Sequence, residues 1–163
     1  LNLAVQWQLP LLFVCENNQW QAFVHRLETM PDDAIANWAK GHGLPVETVD
    51  GNDAEAVLEA ATHAIAHIRQ GGSPAFLELV TYRQRGHFEP DDQAYVAPAE
   101  LDYWRARDPI DRQVQRLKAQ GLIDDHGLAA LEQRTRASIA TALAFAQTSP
   151  WPASETLTDH VYA

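Results

Sequence analysis

Three short apolar segments alternate with helical patterns along the first part of the chain, and this alternation constrains the fold most strongly. The segments are LLFVC at residues 11–15, PVETV at 45–49 and AFLELV at 75–80. The first shows no apolar–polar alternation, which is typical of a parallel strand buried on both faces. Strands that alternate with helices favour an α/β fold, a parallel sheet with helical crossovers. We predict this architecture over residues 1–97.

Local signals place the first helices between these strands. Residues 1–8 are typical of the end of a helix, which Pro10 prevents from continuing. A polar loop is expected over residues 16–31, and a short helix from a cap at Asp32 or Asp33 to about residue 40. The inner side of this short helix is predicted to hold Ile35, Trp38 and Ala39.

The clearest helix follows the sequence VDGND. Asn52 is its expected N-cap, and Glu55 would be the third helical residue, as in a capping box. Its apolar periodicity runs to the glycine pair Gly71-Gly72, which predicts its end.

The second part of the chain has helical patterns only. A polar loop over residues 81–97 is long for a compact domain, which favours a functional role. Three helices are predicted after it, and the proline-rich tail is predicted not to be helical. We expect a single domain over residues 1–163, with a helical part over 98–163. The three helices are expected at about 98–106, 109–119 and 125–147.

Composition excludes several classes of protein. The formal net charge of -10 argues against a nucleic-acid surface and against binding to an anionic membrane. No apolar stretch approaches the roughly 20 residues that span a bilayer. The single cysteine, Cys15, makes a disulfide framework impossible and is predicted to be a small buried residue of the first strand.

Two polar loops are expected at the edge of the sheet where ligands bind. In parallel sheets this edge lies beyond the carboxyl ends of the strands. ENNQW, at 16–20, offers neutral oxygens and a carboxylate, whereas TYRQRGH, at 81–87, offers Arg83, Arg85 and His87 to an anion. Because magnesium takes oxygen ligands from protein and phosphate together, a metal with a phosphate-bearing ligand would use both loops.

Each of these residues also has a simpler interpretation. The pair Asn17-Asn18 is common in turns, and Trp20 is typical of packing. Both arginines are of the kind that is usually solvated or paired with acids, and a histidine in a loop, such as His87, is usually ordinary. These alternatives stay open from the residues alone.

Two further chemistries receive no support. His63 and His67 have the i, i+4 spacing of metal ligands on a helix, but the sequence HAIAH lacks the glutamate of HExxH, so we predict that both lie on the surface. No serine has the context of a nucleophile elbow.

The two loops together resemble a known family. LNLAVQWQLPLLFVCENNQW resembles the second half of the thiamine diphosphate motif, which Gly-Asp-Gly opens and Asn-Asn closes after a buried strand. The stretch from VDGND to TYRQRGH is similar to the alpha subunit of the decarboxylating component of 2-oxo acid dehydrogenase complexes (pyruvate, acetoin and branched-chain types). PDDQAY and YWRARDPIDR continue the resemblance, and the ordered combination is far more specific than any one piece.

The resemblance implies roles for individual residues. Asn18 would be the side-chain ligand of Mg²⁺, and Trp20 would supply a backbone carbonyl to the same ion. His87 would be the catalytic histidine near the diphosphate of thiamine diphosphate, donating to phosphate oxygens or to the acyl intermediate. The implied reaction is oxidative decarboxylation of a 2-oxo acid with acyl transfer to a lipoyl group, in which the cofactor carries the chemistry.

The resemblance also implies partners and a larger protein. The expected partners are a beta subunit, in an assembly of two alpha and two beta chains, and a lipoyl-bearing acyltransferase core. We expect the chain to be the C-terminal half of the subunit, inactive alone, with Gly-Asp-Gly encoded before Leu1. Its setting is expected to be cytoplasmic. Two alternatives are a non-catalytic assembly or regulatory piece and an unrelated α/β ligand-binding domain.

The chain departs from the family pattern at two places. Trp20 and Gln21 stand where a tyrosine and a small residue are usual, so the sequence does not choose among pyruvate, acetoin and branched-chain substrates. Phe88 stands where animal pyruvate dehydrogenases have a regulatory serine, so we predict no phosphorylation there.

Overall fold

The computed structural model describes residues 1–31 and 34–161. Two compact units make up the chain, Leu1–Arg116 and Leu117–Ala163. The expected division at residue 97 falls inside the first unit, and the single domain stays a prediction. In chain order the elements are α1 (Asn2–Gln6), β1 (Leu12–Asn17), β2 (Trp20–Gln21), β3 (Val24–His25), α2 (Arg26–Thr29), α3 (Ala36–Lys40), β4 (Val46–Asp50), α4 (Ala54–Arg69), β5 (Ala75–Val80), α5 (Pro98–Arg105), α6 (Pro109–Ala119), α7 (Asp125–Thr148) and a 3-10 helix (Ser154–Thr158).

The three predicted strands form one parallel sheet in the order β1-β5-β4, which confirms the α/β prediction. Strand β5 lies in the centre because its predecessors pair on either side of it. Val80, at its end, is in register with Asn17 of β1 and Asp50 of β4. The carboxyl ends of all three strands therefore meet at one edge.

Strand β1 is not buried on both faces, so that prediction is wrong. Within residues 1–31 and 34–161 it pairs with β5 alone, which makes it an edge strand of this sheet. Val14 is 53% exposed and Glu16 is also exposed, whereas Cys15 is half-buried and Asn17 is buried on the opposite face. Cys15 is thus less buried than predicted, although it lies on the better covered face of β1.

The predicted loop over residues 16–31 contains regular structure. Strands β2 and β3 form an antiparallel hairpin, and α2 follows immediately. Gln19 and Ala22 have positive φ angles of 71° and 48°, although neither is glycine or asparagine. Turn signals in a sequence rest on residues that favour this conformation, so the hairpin was not predictable from them.

Helix α3 is confirmed, but its inner side differs from the prediction. Ala36 and Ala39 are buried, whereas Trp38 is 60% exposed. Ala36 and Ala39 are three residues apart and share the buried face of the helix. Trp38 lies on another face, so its indole is exposed. The expected caps Asp32 and Asp33 lie outside the described residues.

Helix α4 begins one residue later than predicted. Asp53 is its N-cap, and its Oδ1 accepts hydrogen bonds from the backbone N of Glu55 at 3.1 Å and of Ala56 at 3.2 Å. Asn52, the predicted cap, is buried, and its Nδ2 donates to the carbonyl of Arg107 at 2.9 Å. The predicted capping box is therefore wrong, because Asn52 bonds to Arg107 and the next residue, Asp53, caps the helix.

The later elements follow the predictions closely. Helices α5, α6 and α7 lie within one residue of their expected bounds, and residues 81–97 contain no helix or strand. The tail differs, because it forms a 3-10 helix. His63 and His67 are exposed, as predicted. In the described part of the chain, every helix is too short or too polar to cross a membrane.

Candidate functional site

The two loops predicted to bind ligands run side by side beyond the sheet. The backbone N of Thr81 donates to the carbonyl of Asn17 at 2.9 Å, and that of Arg83 donates to the carbonyl of Asn18 at 3.3 Å. These bonds continue the pairing of β1 with β5 past the ends of both strands. The structure therefore brings the asparagine loop and the arginine loop together.

The first asparagine of the pair is part of the interior. Asn17 is 3% exposed, and its Nδ2 donates to Oε1 of Glu78 at 2.7 Å. Its Oδ1 accepts from the backbone N of Gln19 at 3.3 Å. Both polar groups of this side chain have partners within the protein, so Asn17 is a structural residue of the loop.

The second asparagine forms a turn, and the same turn presents its oxygen. Asn18 is half-buried, and its Oδ1 accepts from the backbone N of Trp20 at 3.1 Å. The intervening Gln19 has the left-handed φ of 71°. An amide oxygen has two lone pairs, so Oδ1 retains acceptor capacity beyond this bond. The turn interpretation and the ligand interpretation are thus compatible.

The side chain of Trp20 packs against other aromatic residues, as its residue type suggested. Its Nε1 donates to the hydroxyl of Tyr82 at 2.9 Å, and its ring meets those of His25 and Tyr95 edge-on at 5.1 and 5.2 Å. Tyr82 is itself buried and stacks on Trp104. Burial raises the pKa of Tyr82 to about 12. The indole of Trp20 anchors the loop in this aromatic cluster. The backbone carbonyl of Trp20 therefore remains as its candidate ligand for a metal.

A cavity of about 260 Å³ lies on the outer side of the asparagine loop. Asn18 and Trp20 line it, together with Arg26 and Met30. Among residues 1–31 and 34–161, no group of three or more histidines, cysteines or acids is placed to hold a metal. The described residues that line the cavity offer amide and backbone oxygens and one carboxylate, that of Glu16, which suits a hard cation that also binds phosphate.

Arg83, whose role the sequence left open between anion binding and loop order, connects the two loops. Its Nη2 donates to the carbonyl of Ala22 at 2.5 Å and to the hydroxyl of Tyr95 at 2.9 Å. Its Nη1 lies 3.4 Å from Nδ1 of His87. One guanidinium thus ties the hairpin, the long loop and the candidate catalytic histidine. Arg85, in contrast, is exposed.

His87 is exposed at the rim of a separate cleft of about 570 Å³. Its backbone N donates to Oδ2 of Asp91 at 2.6 Å. Burial opposes ionisation of Asp91, but hydrogen bonds from His87 and Gln93 outweigh it and lower the pKa of this carboxyl. A Cβ at Gly86 would collide with Asp91, so only glycine permits this fold of the loop. His87 and Asn18 therefore line different cavities, with Arg83 between them.

The end of β4 is occupied by ion pairs instead of a ligand site. Asp50 accepts from Arg107 at 2.8 Å and from Arg112 at 2.9 Å. Arg116 pairs with Asp53, and hydrogen bonding from this guanidinium holds the pKa of the Asp53 carboxyl far below its usual range. The motifs VDGND and DPIDR are thus partners in one structural network, which the sequence did not indicate.

Glu78 is a residue that the sequence interpretation missed. It lies in the middle of β5, has an exposure of 0% and accepts hydrogen bonds from several donors. A signal was present, because Glu78 is the only charge within the apolar segment AFLELV. A carboxylate in a central parallel strand costs free energy unless donors surround it, so its presence in this segment predicts buried hydrogen-bond donors on the neighbouring elements.

Comparison with known proteins shows to which family the chain belongs. Residues 1–155 match the family model described as dehydrogenase E1 component. The chain belongs to this family. The alternative of an unrelated α/β domain with chance motif matches is therefore wrong.

Relatives of the dehydrogenase E1 component family come from several organisms. The alpha subunit of acetoin:2,6-dichlorophenolindophenol oxidoreductase from Bacillus subtilis is 40% identical over 161 residues, covering 98% of this chain and 48% of the relative. The pyruvate dehydrogenase E1 component alpha subunit of Porphyra purpurea is 34% identical, covering 100% and 47%. The 2-oxoisovalerate dehydrogenase alpha subunit of Bacillus subtilis is 31% identical, covering 99% and 49%. The chain spans about half the length of these relatives.

Proposed function

We propose that this chain is part of the alpha subunit of a thiamine diphosphate- and Mg²⁺-dependent 2-oxo acid dehydrogenase. The observation that carries the proposal is that Asn18 and Trp20, which follow the carboxyl end of β1, line one cavity. The adjoining loop brings Arg83 and His87 to the same edge of the sheet. Family membership and this donor set support the same conclusion.

Each residue has a defined role in the proposal. Asn18 Oδ1 and the carbonyl of Trp20 would hold Mg²⁺, and the aspartate of a Gly-Asp-Gly, which this sequence does not contain, would supply a further charged ligand. When bound, thiamine diphosphate supplies the electron sink for loss of carbon dioxide. His87 would donate a hydrogen bond to a phosphate oxygen or to the acyl group, and Arg83, whose Nη1 lies 3.4 Å from Nδ1 of His87, would hold the imidazole in place.

The proposal extends to the complete protein. The chain would be the C-terminal half of the subunit and an oxidoreductase acting on the oxo group of its donor. Its partners would be a beta subunit, a lipoyl-bearing acyltransferase core and a 2-oxo acid or acetoin substrate, in a cytoplasmic setting. Cell fractionation and co-purification of the endogenous protein would test location and partners.

The first test is the nucleotide sequence upstream of the codon for Leu1. An open frame that encodes Gly-Asp-Gly would complete the metal site. A stop codon, or a frame without this aspartate, would favour the alternative of a non-catalytic assembly or regulatory piece.

The second test is Asn18→Ala in the complete protein with its beta subunit, measuring Mg²⁺ affinity in the presence of thiamine diphosphate by calorimetry. We expect affinity at least ~10-fold weaker, since an inner oxygen ligand is lost. Asn2→Ala removes an exposed asparagine from α1 and should leave affinity unchanged. Equal affinities for both variants would contradict the ligand role of Asn18.

A further inference from the structure

A chain of hydrogen bonds runs in one direction from the buried carboxylate of Glu78 to the loop that carries Asn18. Glu78 Oε1 accepts from Asn17 Nδ2 at 2.7 Å. Asn17 Oδ1 accepts from the backbone N and from Nε2 of Gln19, at 3.3 and 3.2 Å. Gln19 Oε1 in turn accepts from Nε of Arg26 at 2.9 Å. Two amides thus lie between an acceptor and a donor.

The chemistry of the two ends fixes the orientation of both amides. The guanidinium of Arg26 has donors only, so Gln19 must present its oxygen to it. Gln19 then directs its NH₂ group toward Asn17, which must present an oxygen there and its own NH₂ to Glu78. Rotation of either amide by half a turn would bring two donors or two acceptors together, which is unfavourable where water is excluded.

Glu78 can anchor this chain because other donors fix its own position. Oε1 also accepts from the backbone N of Ile35 at 3.1 Å. Oε2 accepts from the backbone N of Ala36 at 2.9 Å and from the hydroxyl of Thr48 at 3.2 Å. These contacts come from the start of α3 and from β4. The carboxylate therefore joins the asparagine loop to two rigid elements of the first unit.

We propose that Glu78 is a positioning residue for cation binding by the asparagine loop. Gln19 lies between Asn18 and Trp20 in a left-handed conformation that most residues avoid. Its side chain is held by Asn17, and Asn17 is held by Glu78, so the carboxylate maintains the backbone that presents Asn18 Oδ1. This inference rests on the proposed function, because it takes Asn18 as a ligand of the cation.

The test is Glu78→Gln in the complete protein with its beta subunit. The new amide NH₂ would face another donor, either on Asn17 or on Ala36, and the chain of bonds would lose its direction. We expect Mg²⁺ affinity to fall by about 10-fold, as for outer-shell residues of other metal sites. We also expect faster amide hydrogen exchange in residues 17–20 of the protein without cofactor. Glu47→Gln, the same change at an exposed position of β4, should alter neither quantity.

A second variant separates positioning from general stability. Combining Glu78→Gln with Asn17→Asp moves the carboxylate from β5 to β1 and keeps the net charge. It restores an acceptor toward Gln19 and a donor–acceptor pair between the strands, while the backbone N of Ile35 loses its acceptor, so we expect it to recover part of the lost Mg²⁺ affinity. Asn17→Asp alone sets two carboxylates against each other and should weaken binding.

The outcomes have distinct meanings. Lower thermal stability of Glu78→Gln with unchanged Mg²⁺ affinity would overturn the positioning role, as would an Asn17→Asp variant that binds Mg²⁺ as well as the double variant. If Glu78→Gln does not fold, Gln19→Leu cuts the same chain nearer the surface, and unchanged affinity there overturns the inference equally.

Asn18→Ala, measured in parallel, distinguishes this inference from the proposed function. If Asn18→Ala and Glu78→Gln both leave affinity unchanged, the proposed metal site itself is wrong. If Asn18→Ala weakens binding and Glu78→Gln does not, only the role of Glu78 is wrong.

Discussion

Arg116 and Asp53 form a bidentate ion pair, with Nη1 2.9 Å from Oδ1 and Nη2 2.8 Å from Oδ2. Asp53 also caps α4, so one carboxylate serves two functions. It closes the first turn of a crossover helix and fastens α6 to it. Parallel double hydrogen bonds of this kind fix the relative geometry of two groups more strictly than a single contact.

This pair predicts that the stability of the folded protein depends on pH in the acidic range. Because the pKa of Asp53 is lowered in the folded protein, its contribution is fully present above the unfolded value of about 4 and is lost as pH falls below it. Asp53→Asn keeps a capping oxygen. Between about pH 5 and pH 3 the thermal midpoint of this variant should fall by less than that of the wild type, both measured in the complete protein. Scanning calorimetry over this range measures the thermal midpoint at each pH. A dependence of the midpoint on pH equal to that of the wild type would contradict the prediction.

The buried phenol of Tyr82 predicts the opposite behaviour at alkaline pH. Burial raises the pKa of Tyr82 to about 12, above its ordinary value of about 10. The stability that this phenol contributes is therefore present below pH 10 and is lost as pH rises toward 12. Tyr82→Phe should reduce the alkaline loss in thermal midpoint. It should also cost about 1–3 kcal/mol at neutral pH, because the indole N–H loses its partner. Undiminished alkaline loss would show that another group is responsible.

Gly86 predicts a test of the loop that carries His87. A Cβ there would collide with the backbone and side chain of Asp91, so Gly86→Ala must displace one of them. Since Asp91 holds the backbone of His87, we expect kcat of the complete enzyme to fall by roughly 10- to 100-fold. Gly41→Ala is the matched control, because a Cβ there meets only the carbonyl of Trp38 at 3.3 Å. Comparable activity of both variants would exclude this role of Gly86.

The contacts of Arg83 predict that it orders the long loop. Lysine keeps the charge but cannot reach Ala22, Tyr95 and His87 with one planar group. In Arg83→Lys, amide hydrogen exchange of residues 83–95 should rise by about 10-fold or more. Arg85→Lys should not change it, because Arg85 is exposed and makes no hydrogen bond within the described residues. Equal exchange in both variants would leave Arg83 without this role.

The absence of a hydroxyl at Phe88 predicts no phosphorylation at this position. Its ring instead lies edge-on to Phe23, at 6.1 Å. Phosphopeptide mass spectrometry of protein purified from its own cells would test the loop, and phosphate on any residue between 81 and 97 would contradict the expectation that this loop is free of kinase control.

The sequence predicted the three strands of the parallel sheet and the longer helices well because their signals are local. Apolar runs indicated β1, β4 and β5, and periodicity indicated α4 and the three later helices. The predictions failed where neighbours decided the outcome. Val14 is apolar yet exposed, because β1 is an edge strand, and Asp53 displaced Asn52 as the cap, because Asn52 bonds instead to Arg107.

The sequence alone determined a parallel sheet, the two loops beyond its carboxyl edge, and Asn18, Trp20 and His87 as candidates. Only the tertiary structure decided what holds them. Glu78 lies 61 residues along the chain from Asn17, and Arg83 lies the same distance from Ala22. Hydrogen-bond partners so far apart leave no periodic trace in a sequence. They are set by strand register and by which elements pack together, and these follow from the burial of the whole sheet.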